Sequence, residues 1–306
     1  MGVIKHISSG RTIVLAGHSV VGRAPGCVVR LTDHAASNDH ASLFWTGQRW
    51  EARDLGSTNG TFIDGERLPS KANEPLAHGS VLRFGCDAES WKLIDARGPV
   101  VVARSMETGE VRAAEDGLLA LPDPTNVLLS IVMDSDGQWL VETPDGSRRL
   151  ARDTERVTLA EQTWELTVPP ASTVAGTYKA KASFSLATLT LRFHVSRDEE
   201  HVHVEAVDGD EMLSLGERTI FRALLQLARE RLKDAAEARL PEDEQGWYHL
   251  IDLTRDLAVE ERSLNVDIHR VREAFAKAGI EGAEGIVQRR SRQLRIGTGR
   301  LEERKA

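Results

Sequence analysis

The sequence predicts a multidomain protein: an all-β sandwich at the amino end, a β-rich middle segment and an α+β domain at the carboxyl end. Three observations predict it. Residues 3–95 break into short apolar runs separated by turn clusters, the pattern of a sandwich or barrel. Residues 98–170 keep that pattern. Beyond Pro169-Pro170 the apolar spacing changes to threes and fours, which is helical.

The amino-terminal strands are expected at 12–15, 27–31, 41–45, 50–53, 61–63, 81–84 and 91–94, within a domain of residues 1–97. Residues 98–170 form a β-rich extension, with 126–133 and 164–168 as its clearest strands. G-Q-R-W at 47–50 recurs as G-Q-W at 137–139, and W-K-L at 91–93 as W-E-L at 164–166, so this extension is a candidate degenerate half-copy of the first domain. Residues 171–183, small and polar, read as a linker in which Thr173 or Thr177 could accept a phosphate.

The last domain is expected over 184–300. Residues 186–207 alternate as a hairpin, with Leu189, Leu191, Phe193 and Val195 on one face. A helix is expected over 219–232 from Ile220, Leu224, Leu227 and Leu232. After the acidic loop 241–246 comes a shorter helix over about 247–258. A third helix carries Leu264, Ile268, Val271 and Phe275, with Gly279 as its stop. Residues 286–297 alternate as a closing hairpin.

Composition narrows the function classes. No apolar run approaches the roughly 18 residues of a membrane helix, and Met1–Gly10 lacks a secretory core. Cys27 and Cys86 are the two cysteines of 306 residues, too few for a disulfide framework, so a cytoplasmic protein is expected. A net charge of −8 argues against a protein that coats nucleic acid.

D-L-G-S-T-N-G-T-F-I-D-G at 54–65 packs small side chains, hydroxyls and accessible backbone between two strands. Such a loop suits a polar ligand. A phosphate dianion wants a guanidinium fork, hydroxyl donors and backbone N–H groups. Arg23, Ser37 and Thr58 supply the first two, and Asn59 offers an amide that pairs with peptide backbone.

G-R at 22–23, S-x-x-H at 37–40, G-S-T-N-G-T at 56–61 and L-x-H-G-S-x-L-R-F-G at 76–85 together resemble a forkhead-associated domain. The resemblance covers about residues 3–95. It implies an eleven-stranded sandwich that binds phosphothreonine peptides through its loops. By that resemblance Arg23 and Ser37 hold the phosphate, Thr58 assists, and Asn59 and Asn38 grip the peptide backbone. Gly22, His40 and Gly60 support the site. Many members carry Arg where this chain has Asn38, which leaves the peptide preference open.

Hairpin, three helices and hairpin is the order of a winged helix-turn-helix, and 184–300 resembles the DNA-binding domain of OmpR-type response regulators through L-N-V-D-I-H-R-V-R-E-A-F at 264–275. The resemblance implies a third helix in the major groove and a wing on the backbone. A 100° step puts Arg262, Val266, His269, Arg270 and Glu273 on that helix's outer face. Arg289, Arg290, Arg292 and Arg295 crowd the wing. Against DNA, residues 212–306 hold 18 Lys and Arg to 17 Asp and Glu. The alternative is a winged helix that docks a protein.

No enzyme is expected. Ser37, His40 and Asp54 suggest a hydrolase triad, but a nucleophile elbow needs Gly-x-Ser-x-Gly between strand and helix; Thr58 sits midway between Gly56 and Gly60, and more strand follows. His194, His201 and His203 share a hairpin face, read as a solvated face or domain contact with no metal. No cofactor is expected. The expected whole is a phosphothreonine-dependent adaptor downstream of a serine/threonine kinase that couples phosphorylation to double-stranded DNA and transcription regulation, with a protein-docking scaffold as the alternative.

Overall fold

The computed structural model describes residues 2–69, 71–169, 184–197, 199, 201–237 and 240–305. The expected linker, with Thr173 and Thr177, lies outside the described residues. One compact unit spans Met1–Val100; a second joins Val101–Val168 to the described residues from 184 onwards. The middle segment and the carboxyl end, expected as separate parts, thus fold as one unit.

The first unit holds β1 (Gly2–His6), β2 (Thr12–Val14), β3 (His18–Gly22), β4 (Val29–Arg30), β5 (Ala41–Trp45), β6 (Trp50–Asp54), β7 (Thr61–Ile63), β8 (Glu66–Arg67), β9 (Asn73–Leu76), β10 (Val81–Phe84) and β11 (Ser90–Ala96). They form a six-stranded sheet, β2-β1-β11-β10-β7-β8, and a five-stranded one, β4-β3-β5-β6-β9. Ile4, Leu82, Phe84, Trp91 and Leu93 from the first meet Val21, Leu43, Trp50 and Ala52 from the second in one buried core. That is a sandwich, two sheets facing each other across one core. β1 and β9 escape the sequence pattern: G-V-I-K-H is too short to show a period, and N-E-P-L carries a proline.

The second unit opens with β12 (Val102–Ser105), β13 (Val111–Ala113), β14 (Leu118–Asp123), β15 (Asn126–Met133), β16 (Trp139–Glu142), β17 (Arg148–Leu150), β18 (Arg156–Leu159) and β19 (Gln162–Thr167). Their sheets run β13-β12-β19-β18 and β14-β15-β16-β17. These orders follow β2-β1-β11-β10 and β3-β5-β6-β9 of the first unit. Trp139 opens β16 as Trp50 opens β6, and Trp164 lies in β19 as Trp91 lies in β11; all four indoles are buried.

The unit continues with β20 (Thr190–Val195), β21 (Val202–Asp208), β22 (Glu211–Glu217), α1 (Phe221–Glu237), β23 (Tyr248–His249), α2 (Leu250–Leu257), α3 (Glu261–Lys277), β24 (Val287–Arg290), β25 (Gln293–Ile296) and β26 (Leu301–Lys305). α2 starts later than its apolar pattern suggests because Tyr248 and His249 pair with β25 instead. β26 pairs in parallel with β20, a strand hidden in L-E-E-R-K by its charges. Leu224, Leu227, Leu264, Ile268, Val271 and Phe275 fill the core as their spacing predicts, whereas Ile220 and Leu232, expected on the same stripe as Leu224, are half-buried. α3 also packs against β15, where Val266 meets Ala120 and Val127.

Candidate functional site

β3 ends at Gly22, where the chain turns sharply. A Cβ on Gly22 would lie 1.9 Å from the Asn38 carbonyl oxygen, so glycine alone permits this approach. Two backbone bonds then tie the turn to the next loop: Arg23 N–H donates to Ser37 O at 3.0 Å, and Ala24 N–H to Asn38 O at 3.1 Å. The Arg23 guanidinium is half-buried, with Nε donating to Ala36 O at 2.6 Å. Its terminal nitrogens have no hydrogen-bond or ion-pair partner among the described residues. A fixed fork with open donors and no counter-charge is poised for an anion.

Ser37 and Thr58 come together across two loops, the Thr58 N–H donating to Ser37 Oγ at 3.2 Å. Asn59 Nδ2 donates to Ala35 O at 2.8 Å, which fixes its amide plane and leaves its oxygen open. Thr58, Asn59 and Asn38 are exposed. The structure thus gathers Arg23, Ser37, Asn38, Thr58 and Asn59 on three adjoining loops.

The support beneath is buried and polar. His40 Nδ1 accepts from the Ser37 N–H at 3.0 Å, and its Nε2 donates to the Gly60 carbonyl at 3.2 Å. That pattern needs the neutral Nε2–H ring. Asp54, at the end of β6, accepts from the Gly56 and Ser57 amides at 2.8 and 2.9 Å and from the Ser57 and Thr61 hydroxyls at 2.6 and 2.8 Å. Burial pushes the Asp54 carboxyl up, but those donors outweigh it and hold it below the usual carboxylate range. Asp54 and Ser57 therefore brace the loop, a role the sequence reading missed although D-x-G-S is a recognisable Asx-turn pattern. Ser37, His40 and Asp54 form no relay, since His40 bonds backbone on both sides and Asp54 bonds its own loop.

Burial pushes the His40 imidazole below its ordinary value, against the Gly60 carbonyl and the Asp54 charge. A ring whose pKa is lower folded than unfolded contributes stability above about pH 6.5 and loses it as pH falls. The His40 ring resonances are expected to titrate with a midpoint below 6.5; a midpoint at or above that value contradicts the buried neutral ring.

The model of the FHA domain family matches residues 19–85. Those residues form an FHA domain. Over 78 residues the chain is 38% identical to the FHA domain-containing protein FhaB of Mycobacterium tuberculosis, covering 25% of this chain and 49% of FhaB. It is 37% identical over 78 residues to FhaA of the same species, covering 25% of this chain and 14% of FhaA. The chain thus spans about half the length of FhaB. A solved structure described as M. tuberculosis EmbR in complex with low affinity phosphopeptide is 28% identical, covers 32% of this chain and 25% of that one, and has a TM-score of 0.29.

Outside the FHA domain, the structure corrects several expected positions. His269 and Val266, expected on the outer face of α3, are 7% and 8% exposed; α3 packs against β15, where Val266 meets Ala120 and Val127. Burial pushes the His269 imidazole down. Arg289, expected on the wing surface, turns inward with its side chain 5% exposed; it donates to Pro144 O at 2.9 Å and to Asn265 Oδ1 at 2.7 Å, and its Nε lies 3.4 Å from Glu142 Oε1. Arg290 and Arg295 stack over Trp247 at 4.2 and 4.5 Å, and Arg290 also pairs with Glu244 at 2.7 Å. Arg262, Arg270 and Arg292 remain exposed.

The residue that organises this region is Glu142, which the sequence reading did not single out. Arg272 donates to both its oxygens, at 2.7 and 3.2 Å, and Arg148 Nε donates at 2.7 Å. Glu142 and Arg272 lie 130 residues apart, and no local pattern joins them. Of the hairpin histidines, His194 pairs with Glu205 at 2.9 Å and His201 with Glu217, and among the described residues no cluster is disposed to hold a metal ion. No described helix is long and apolar enough to cross a membrane.

Proposed function

We propose that this chain is a signalling adaptor whose FHA domain binds a phosphothreonine placed on a partner protein by a serine/threonine kinase. One observation carries the reading: the Arg23 fork stands without a counter-charge among the described residues, held to Ala36 O next to Ser37, whose Oγ accepts from the Thr58 N–H, on a buried polar scaffold. A phosphate brings about −1.5 to −2 charge and three acceptor oxygens, which those donors complement. Capture from a peptide library should enrich phosphothreonine over unmodified threonine; equal recovery of both contradicts the reading.

For residues 101–168, the repeated relative strand order and paired tryptophans support a trimmed copy of the sandwich. The excursion that bears Arg23 and Ser37 in the first unit is reduced here to the turn between Asp123 and Asn126. With no equivalent of those loops, this copy serves as a brace, and what it braces is α3.

The helix order and the β24–β25 hairpin support a winged helix at the carboxyl end. Its output is protein docking in preference to DNA, because α3 packs against β15 through Val266, His269 is buried, and Arg289 is committed to Glu142 and Asn265. The full chain is expected to show no duplex binding at about 50 mM salt. Salt-sensitive binding that weakens on replacing Arg262, Arg270 and Arg292 with Ala would instead favour DNA.

A further inference from the structure

The 54–60 loop has a second face. There Ser57 and Gly60 border an open groove of about 330 Å³, whose other wall is Arg67, Leu68 and Pro69. Arg23, Ser37, Thr58 and Asn59 do not line it. Leu68 is buried and gives the groove an apolar floor. Arg67 is exposed on β8, the edge strand of its sheet, and among the described residues its guanidinium has no hydrogen-bond or ion-pair partner.

Arg67 lies directly over Gly60. A Cβ there would fall 2.6 Å from its Nε and 3.0 Å from Nη2, and Gly60 has φ +87°, so the absence of a side chain both permits the turn and admits the guanidinium. The wall is rigid, since the Gly60 carbonyl accepts from His40 and from the Gly85 N–H at 3.0 Å. The Asp54 carboxylate, the one acid lining the groove, has both oxygens covered by amide and hydroxyl donors. The open charge in the groove is therefore positive. Thr58 and Gly60 are two residues apart, a span of at most about 7 Å. A single extended peptide reaches both sides of the loop.

We infer that Arg67 and this groove form a second anionic subsite, which takes a carboxylate or a second phosphate from the same ligand that offers phosphothreonine to Arg23. The inference rests on the phosphothreonine reading. It makes the protein a reader of paired negative charge, with the apolar floor holding the side-chain stem and Arg67 the anionic head.

The test titrates the full chain with one alanine-flanked phosphothreonine peptide, then with derivatives carrying aspartate, or a second phosphothreonine, at each flanking position in turn. One or more positions should tighten binding about 3- to 10-fold. Arg67→Ala and Arg67→Gln should both abolish that gain while leaving the alanine-flanked affinity unchanged. An aspartate gain identifies a carboxylate subsite, and a gain confined to the second phosphate identifies a dianion subsite. If the alanine-flanked peptide binds but no flanking anion helps, or the gain survives in both variants, the subsite is wrong. If no phosphopeptide binds at all, the phosphothreonine reading fails first and takes the subsite with it.

Discussion

Replacing Arg23 with alanine is expected to weaken binding of a phosphothreonine peptide about 10- to 150-fold. Hydrogen bonds to a charged group contribute about 1.5–3 kcal/mol each way they are lost, and tenfold in affinity is about 1.4 kcal/mol. The half-buried guanidinium is already held by Ala36 O, so little side-chain freedom remains to be lost on binding. Arg23→Lys should recover part of the loss, because an ammonium keeps the charge and gives up the fork. Calorimetric titration checks both. An Arg23→Ala affinity within twofold of the parent would remove Arg23 from the site.

The second large effect is structural. Glu142→Gln should destabilise the second unit by roughly 3–5 kcal/mol, because it leaves buried guanidiniums without their carboxylate. Burial pushes the Glu142 carboxyl up, but Arg272, Arg148 and Arg289 outweigh it and hold it down at about 2. Burial likewise lowers Arg289 to about 10. A carboxyl whose pKa is lower folded than unfolded contributes stability above its unfolded value and loses it in acid. For Glu142 that loss runs from about pH 4.5 down towards 2. Thermal unfolding of the full chain should show one transition falling by roughly 6–20 °C in Glu142→Gln. A shift under about 2 °C would mean that the cluster does not hold α3 to the sheet.

Much of the first unit was legible because its signals are local. Gly22 before Arg23, Ser37 three residues before His40, and the 56–61 run each reflect one turn or one short hydrogen bond. Core positions of α1 and α3 were legible for the same reason, since a helical stripe repeats within a few residues. What stayed hidden depends on distant chain. The outer face of α3 was expected in solvent because periodicity separates two faces without saying what covers the second. Val266 is covered by a sheet more than a hundred residues earlier, and His269 one turn on is buried as well. Arg289 was read as a surface cation because arginine usually is one, yet Glu142 draws it inward. Asp54 was weighed as a catalytic acid when its donors are the Gly56 and Ser57 amides and the Ser57 and Thr61 hydroxyls of the turn it begins.

The most direct measurement titrates the full chain with one threonine peptide from the captured set, phosphorylated and then enzymatically dephosphorylated. The account predicts saturable binding of the first and none of the second, with the Ser37 and Thr58 amide resonances moving most. Equal affinity for the two forms, or shifts confined to the second unit, would contradict it.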